Sequence, residues 1–128
     1  SLNPRRQRVL DDLRSRGLRV RAAFGVYGAE RDELIARARV VLNLHYYDTR
    51  IFEAVRVSYL LANRKAVVAE CGPGTEVDDW LRGAACLVEY EALADACEAL
   101  VGDAGRRRML EAAGYDAIRQ RPIERILE

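Results

Sequence analysis

The segment from Asn43 to Arg56, N-L-H-Y-Y-D-T-R-I-F-E-A-V-R, carries the densest group of side chains able to do chemistry. It contains His45, the only histidine of the chain, followed by Asp48 and Glu53. A histidine beside carboxylates suits acid–base catalysis, and a carboxylate among arginines suits binding of sugar hydroxyls. With no second histidine beside it, His45 is a better candidate for contacting a ligand phosphate or sugar than for catalysis. The alternative is a strand-end histidine hydrogen-bonded to a backbone carbonyl.

The flanking sequence predicts a strand before this segment and a helix within it. "RVVLNL" is a continuous apolar run, typical of a strand that is covered on both faces. "TRIFEAVRVSYLLAN" is helical in pattern, with Asp48 or Thr49 as its N-cap. A helix that begins near Arg50 directs free N–H groups and its positive dipole end at the end of the strand, which favours a phosphate there.

The same alternation of strand and helix runs along the chain of 128 residues. Apolar runs predict strands over 18–24, 39–44, 66–70 and 85–90. Helical patterns, one of them capped by Thr75, cover 4–16, 29–38, 49–63, 75–81, 91–102 and 103–121. This order indicates βαβ crossovers and the α/β class. We therefore expect residues 1–128 to form one three-layer α/β/α Rossmann-like domain with a mostly parallel sheet of about four strands and a helical C-terminus.

Ligands of open parallel sheets bind outside the carboxyl ends of the strands, which selects three loops, at 25–28, 45–49 and 71–74. The candidate substrate-binding residues at this edge are Gly25, Tyr27, Asn43, His45, Thr49, Arg50 and Glu53. Glu53 suits the cis-diol of a ribose, or else it complements the helix dipole and pairs with Arg50 or Arg56. Tyr27 stacks on a base or sugar, or else packs in the interior. No catalytic residue and no metal ligand is assigned.

Composition excludes several classes of protein. The 21 basic and 20 acidic residues are interleaved, which argues against a nucleic-acid-binding domain, and the arginine clusters "RRQR" and "GRRRM" are predicted to be solvated helix faces. The three cysteines, Cys71, Cys86 and Cys97, match no zinc spacing and are expected to be reduced. No apolar run is long enough to span a bilayer and no signal peptide is present, so we expect a cytoplasmic protein. The missing G-x-G-x-x-G disfavours an NAD-dependent enzyme.

The run "FGVYGAERDELIARARVVLNLHYYDTRIFEAVRVSYLLANRKAVVAE" and the tail "GDAGRRRMLEAAGYDAIRQRPIERIL" carry a resemblance. Together they resemble the C-terminal, nucleotide-sugar-binding domain of glycosyltransferases with the GT-B fold, of the type of families 1 and 4. The resemblance covers most of residues 25–127. The first glutamate of the family's E-x7-E pair falls at His45, so the chain is most similar to a divergent branch in which "R-x-F-E" replaces that pair.

The resemblance implies that Glu53 holds the ribose or sugar of the donor and that Arg5 or Arg6 contacts its diphosphate. It implies metal-independent transfer, with a nucleotide sugar as donor substrate and no cofactor. The acceptor would bind an N-terminal domain of the same polypeptide, absent here, so this chain alone would be inactive; the full-length enzyme would be peripheral to the inner membrane face.

We also expect that a strand before Pro4 is missing, which predicts self-association through a bare sheet edge. The alternative function is a non-catalytic α/β module that binds a ligand or a protein at the same edge.

Overall fold

The computed structural model describes residues 3–21, 28–44, 54–74 and 77–120. In these ranges the chain is an α/β protein with three strands and five α-helices. The strands are β1 (Val40–Asn43), β2 (Ala66–Glu70) and β3 (Cys86–Val88). The helices are α1 (Pro4–Ser15), α2 (Gly28–Arg37), α3 (Ala54–Ala62), α4 (Leu93–Val101) and α5 (Ala104–Arg119). Single-turn 3₁₀ helices lie at Asp79–Leu81 and Tyr90–Ala92.

The sheet is parallel throughout, in the order β1-β2-β3. In its register Asn43 lies opposite Ala69, and Glu70 lies opposite Val88. The prediction of a parallel sheet is confirmed, and so is that of a fully buried central strand, because all five residues of β2 are buried. The carboxyl ends of the three strands lie along one edge of the sheet, which we call the carboxyl edge.

Local signals set the first helix as predicted. The Asn3 side chain accepts a hydrogen bond from the backbone N–H of Arg6 at 2.9 Å, and Pro4 occupies the first helical position. Gly17 follows the helix with φ of +82°, a conformation that glycine adopts without strain. The buried stripe of Val9, Leu10 and Leu13 is also confirmed.

Side chains alternate between the two faces of the sheet along each strand, and helices cover both faces. One apolar cluster joins one face to α1 and α4; its buried members are Val9, Leu13, Leu44, Val68, Leu93, Ala94, Cys97 and Leu100. The other joins the opposite face to α3; its buried members are Val57, Leu60, Leu61, Val67, Ala69, Leu81, Ala84 and Ala85. The helix α5 contributes half-buried residues to both clusters, Leu110 to the first and Ala117 and Ile118 to the second.

Three predicted elements differ from the structure. Residues 18–21 form no strand, although Leu18 and Val20 pack against the first cluster; residues 22–24 lie outside the described ranges. The helix predicted over 75–81 is only one 3₁₀ turn, because the backbone is extended at Asp78 and again at Arg82, and Thr75 lies outside the described ranges. The strand predicted over 85–90 ends at Val88, where the chain turns into the second 3₁₀ helix.

The three cysteines are free thiols, as expected. Burial raises the pKa of the Cys97 thiol from its ordinary value of 9.0 to about 12, with a smaller contribution from Cys86. In the unfolded chain this thiol loses its proton near pH 9, whereas the folded protein keeps it bound. Above pH 9 the free energy of unfolding should therefore fall, by up to about 1.4 kcal/mol per pH unit from this group.

Urea unfolding at pH 8, 9 and 10 measures this dependence. The variant Cys97→Ala should lose less stability per pH unit than the wild type. Parallel declines in the two proteins would contradict the assignment of the dependence to Cys97.

None of the helices in the described ranges is long and apolar enough to cross a membrane.

Candidate functional site at the carboxyl edge

Two buried polar side chains lie where the strands end. Asn43 is the last residue of β1 and is 3% exposed, and Glu70 is the last residue of β2 and is 4% exposed. Among the described residues, Asn43 and Glu70 are the two polar or charged residues that are buried. Both lie at the carboxyl edge, where ligands of open parallel sheets bind.

The Asn43 side chain lies on the face of the sheet that packs against α3, because Val41, two residues earlier, belongs to that cluster. Among the described residues, no atom accepts a hydrogen bond from its Nδ2. Buried amide N–H groups in native proteins nearly always have a partner, and leaving one without costs about 1–3 kcal/mol. The Asn43 amide nitrogen is thus a buried donor at the carboxyl edge that has no acceptor among the described residues.

Glu70 lies on the opposite face and is bound by the first turn of α1. Its carboxylate accepts hydrogen bonds from both terminal nitrogens of Arg5, at 2.7 Å from Nη1 and in a second contact from Nη2. The Tyr90 ring stacks on the Arg5 guanidinium, with 4.2 Å from Cζ to the ring centroid, and its hydroxyl donates to the Arg5 carbonyl at 2.7 Å. Arg5, Glu70 and Tyr90 form a cluster that joins α1, β2 and the segment after β3.

The N-terminus of α1 lies at the same edge. Arg6 Nη2 donates to the Leu44 carbonyl, one residue beyond β1, at 3.4 Å. The interpretation of "RRQR" as a solvated helix face is therefore wrong for Arg5 and Arg6, whose side chains reach the ends of two strands; Arg8 is exposed as expected. The charge of Arg5 is balanced by Glu70, so Arg6 and the positive end of α1 are what favour anionic groups at this part of the edge.

A backbone bond fixes the loop that follows β2. The Cys71 N–H donates to the Val88 carbonyl at 2.8 Å, which extends the pairing of β2 with β3 by one residue. The loop predicted at 71–74 is confirmed for all four residues, which have no helix or strand. It leaves the sheet directly beside the Arg5–Glu70–Tyr90 cluster.

Of the seven predicted substrate-binding residues, Asn43 is the one that the structure describes. It lies at the expected edge and is buried. The predictions for Gly25, Tyr27, His45, Thr49, Arg50 and Glu53 fall outside the described ranges.

Sequence analysis missed Glu70 and Tyr90 as site residues. The available signal was a carboxylate that ends the fully apolar run "AVVA" and a tyrosine that ends "ACLVE". A polar residue at the last position of a buried strand points at the carboxyl edge, and applying that rule to every strand would have found Glu70. Tyr90 lies two residues beyond β3, in the second 3₁₀ helix.

The described part of the edge can hold anions and hydrogen-bond acceptors. It offers the Asn43 amide, the N-terminus of α1 and the Arg5–Glu70 pair. In the described ranges no three histidine, cysteine, aspartate or glutamate side chains lie close enough together to hold a metal ion.

Comparison with known proteins yields two partial relatives, both from Acanthamoeba polyphaga mimivirus. The chain is 40% identical over 58 residues to the uncharacterized protein L138, a stretch that covers 44% of this chain and 7% of L138. It is 33% identical over 72 residues to the uncharacterized protein L140, covering 55% of this chain and 24% of L140. The chain thus spans less than a quarter of the length of either relative. No family model and no solved structure matches.

Proposed function

We propose that this chain is the donor-binding domain of a GT-B-fold glycosyltransferase and holds a nucleoside-diphosphate sugar at the carboxyl edge of its sheet. The observation that carries the proposal is the Asn43 amide, buried at that edge with its Nδ2 donating to no described atom. A sugar hydroxyl or phosphate oxygen of the donor supplies the acceptor. Because the amide is already buried and held by β1, little conformational entropy is lost when the ligand binds.

The charge of the edge supports a diphosphate. The positive dipole end of α1 lies at this edge, and Arg5 and Arg6 lie in the first turn of the helix. Arg5 is held by Glu70 and Tyr90, so its guanidinium is oriented before a ligand arrives. In the proposed transfer these groups stabilise negative charge on the leaving nucleoside diphosphate without a metal ion.

The proposal assigns roles to the residues outside the described ranges as well. Glu53 binds the ribose or sugar hydroxyls of the donor, and His45, Thr49 and Arg50 contact its phosphates or sugar. Gly25 and Tyr27 complete the carboxyl edge of the Rossmann-like domain.

The proposed partners are a nucleotide sugar, an N-terminal domain of the same polypeptide that binds the acceptor, and a second copy at a bare sheet edge. The proposed location is the cytoplasm, at the inner membrane face for the full-length enzyme.

Titration calorimetry with UDP, GDP, ADP and dTDP tests this function, on the chain and on the full-length polypeptide. We expect one nucleotide to bind the wild type, and Asn43→Ala and Glu53→Ala each to weaken it about tenfold or more, since each removes a hydrogen-bonding group from the ligand. The matched control is Asn63→Ala, an exposed asparagine beyond α3, which should bind like the wild type.

Two outcomes would contradict the proposal. Binding that is equal in wild type, Asn43→Ala and Glu53→Ala would remove both residues from the site. Absence of binding for all four nucleotides to both forms would instead favour the non-catalytic α/β module.

A further inference from the structure

A second polar site lies at the opposite edge of the sheet, where the strands begin. A cavity of about 260 Å³ opens between α2 and α3 beside Lys65, the residue before β2. Its lining residues are Asp32, Ile35, Ala36, Tyr59, Asn63 and Lys65. Because β2 spans the sheet between Lys65 and Glu70, this cavity is separate from the carboxyl edge and from the function proposed there.

The cavity contains the side-chain amine of Lys65. Lys65 is the only lysine of the chain, among 20 arginines. The side chain is half-buried, and its Nζ lies 3.4 Å from the Ala36 carbonyl oxygen, near the end of α2. Burial lowers the pKa of Lys65, an effect that the charge of Glu111 on α5 partly opposes. A larger fraction of this amine is therefore neutral, and nucleophilic, at pH 7 than for an ordinary exposed lysine.

The walls of the cavity combine apolar and polar surface. Ile35 and Ala36 provide the apolar part, and the Tyr59 hydroxyl donates a hydrogen bond to Asp32 Oδ1 at 2.7 Å on the polar side. This bond raises the pKa of the Tyr59 hydroxyl. Asp32 and Tyr59 line the cavity, Arg31 forms an ion pair with Asp32 at 3.6 Å, and Glu111 acts on Lys65 from α5. The space suits a short acyl chain whose carbonyl meets polar groups.

We propose that Lys65 is an acylation site of this chain, modified within this cavity by small activated acyl groups, that is, acyl phosphates or acyl thioesters. The lone pair of the neutral Nζ attacks the acyl carbon and an N–C bond forms. The C–O bond to phosphate or the C–S bond to the thiol breaks, and the leaving group departs with the bonding electrons. The nitrogen releases one proton to water. The product is an amide, which carries no charge beside the Ala36 carbonyl.

A competition within one molecule tests the proposal. The variant Arg108→Lys adds an exposed lysine on α5 as an internal reference. The protein is incubated at pH 7 with acetyl phosphate, or separately with the acetyl thioester of N-acetylcysteamine, and both lysines are followed by peptide mass spectrometry. Because burial lowers the pKa of Lys65 and the reference lysine is exposed, we expect Lys65 to react faster than the reference, by about threefold or more.

A ratio above this threshold with either donor supports the proposal and identifies the donor class. A ratio below it with both donors overturns the proposal. Neither outcome bears on nucleotide binding at the carboxyl edge.

A second variant tests whether the space of the cavity, and not only the exposure of the amine, affects the acylation rate of Lys65. Ala36→Leu lies on an exposed position of α2 that lines the cavity, and leucine is a good helix former, so the helix is retained. The larger side chain should slow acylation of Lys65 about threefold or more by filling space beside Nζ, while the reference lysine keeps its rate. An unchanged rate at Lys65 would show that the cavity has no part in the reaction and would overturn the proposal.

Discussion

Replacing Glu70 by alanine is expected to lower the free energy of unfolding by about 3 kcal/mol. Glu70 is 4% exposed and accepts hydrogen bonds from both terminal nitrogens of Arg5, whose side chain is 21% exposed. The substitution removes the carboxylate and leaves the guanidinium in a largely buried place. Breaking such a pair typically costs about 3–5 kcal/mol, and the partial exposure of Arg5 puts the expected loss at the low end.

Urea unfolding at pH 7 measures this loss, and four further variants make it specific. Glu89→Ala, at an exposed position just beyond β3, should be within about 0.5 kcal/mol of the wild type. In a double-mutant cycle, the combined Arg5→Leu and Glu70→Leu variant should be more stable than the sum of the two single changes predicts. A loss for Glu70→Ala no larger than that for Glu89→Ala would mean that the Arg5–Glu70 pair does not hold α1 to the sheet.

Replacing Gly114 by alanine is expected to lower the free energy of unfolding by about 2 kcal/mol. Gly114 is buried in α5 against α3, and a Cβ there would lie 2.7 Å from Leu61 Cδ2 and 2.8 Å from the Ala84 carbonyl oxygen. The leucine can change its rotamer, but the carbonyl belongs to the backbone just before β3 and has little freedom to move. The helix must therefore shift outward and lose contacts with the second apolar cluster.

Gly105→Ala is the matched control in the same helix. Its Cβ would meet only Asp103 Oδ1, at an ordinary contact distance of 3.7 Å, and the position is exposed. Because alanine has a higher helix propensity than glycine, this variant should be neutral or more stable by up to about 1 kcal/mol. Thermal and urea unfolding of both variants settle the comparison. If Gly114→Ala were as stable as Gly105→Ala, the close packing of α5 on α3 would be contradicted.

The elements that sequence predicted well are those with local causes. Asn3 and Pro4 start α1 and Gly17 ends it, all within one stretch of sequence. The run "AVVAE" is apolar enough that only a strand covered on both faces fits it. The helix predicted over 75–81 is only a single turn at Asp79–Leu81. Extended backbone at Asp78 and Arg82 limits this turn, and no local sequence pattern indicates that limit.

The place of Asn43 in the fold was predicted, whereas the cluster of Arg5, Glu70 and Tyr90 was not. The rule that ligands bind at the carboxyl ends of parallel strands selects Asn43 from the sequence, and the structure adds that its amide nitrogen donates to no described atom. The partnership of Arg5 with Glu70 joins residues 65 positions apart, and Tyr90 joins them from a third segment. Only the packing of α1 against the sheet brings the three residues together. Their spacing in the sequence therefore does not predict the cluster.

The most direct test of the central claim, that the carboxyl edge is the ligand-binding edge, is a chemical-shift map. The ¹⁵N-labelled protein is titrated with UDP, GDP, ADP and dTDP in turn. The account predicts that one of them shifts the Asn43 side-chain amide and the backbone amides of Leu44, Cys71 and Gly72, and leaves residues 63–65 at the opposite edge unchanged. Shifts confined to residues 63–65, or an unchanged spectrum with all four nucleotides, would contradict it.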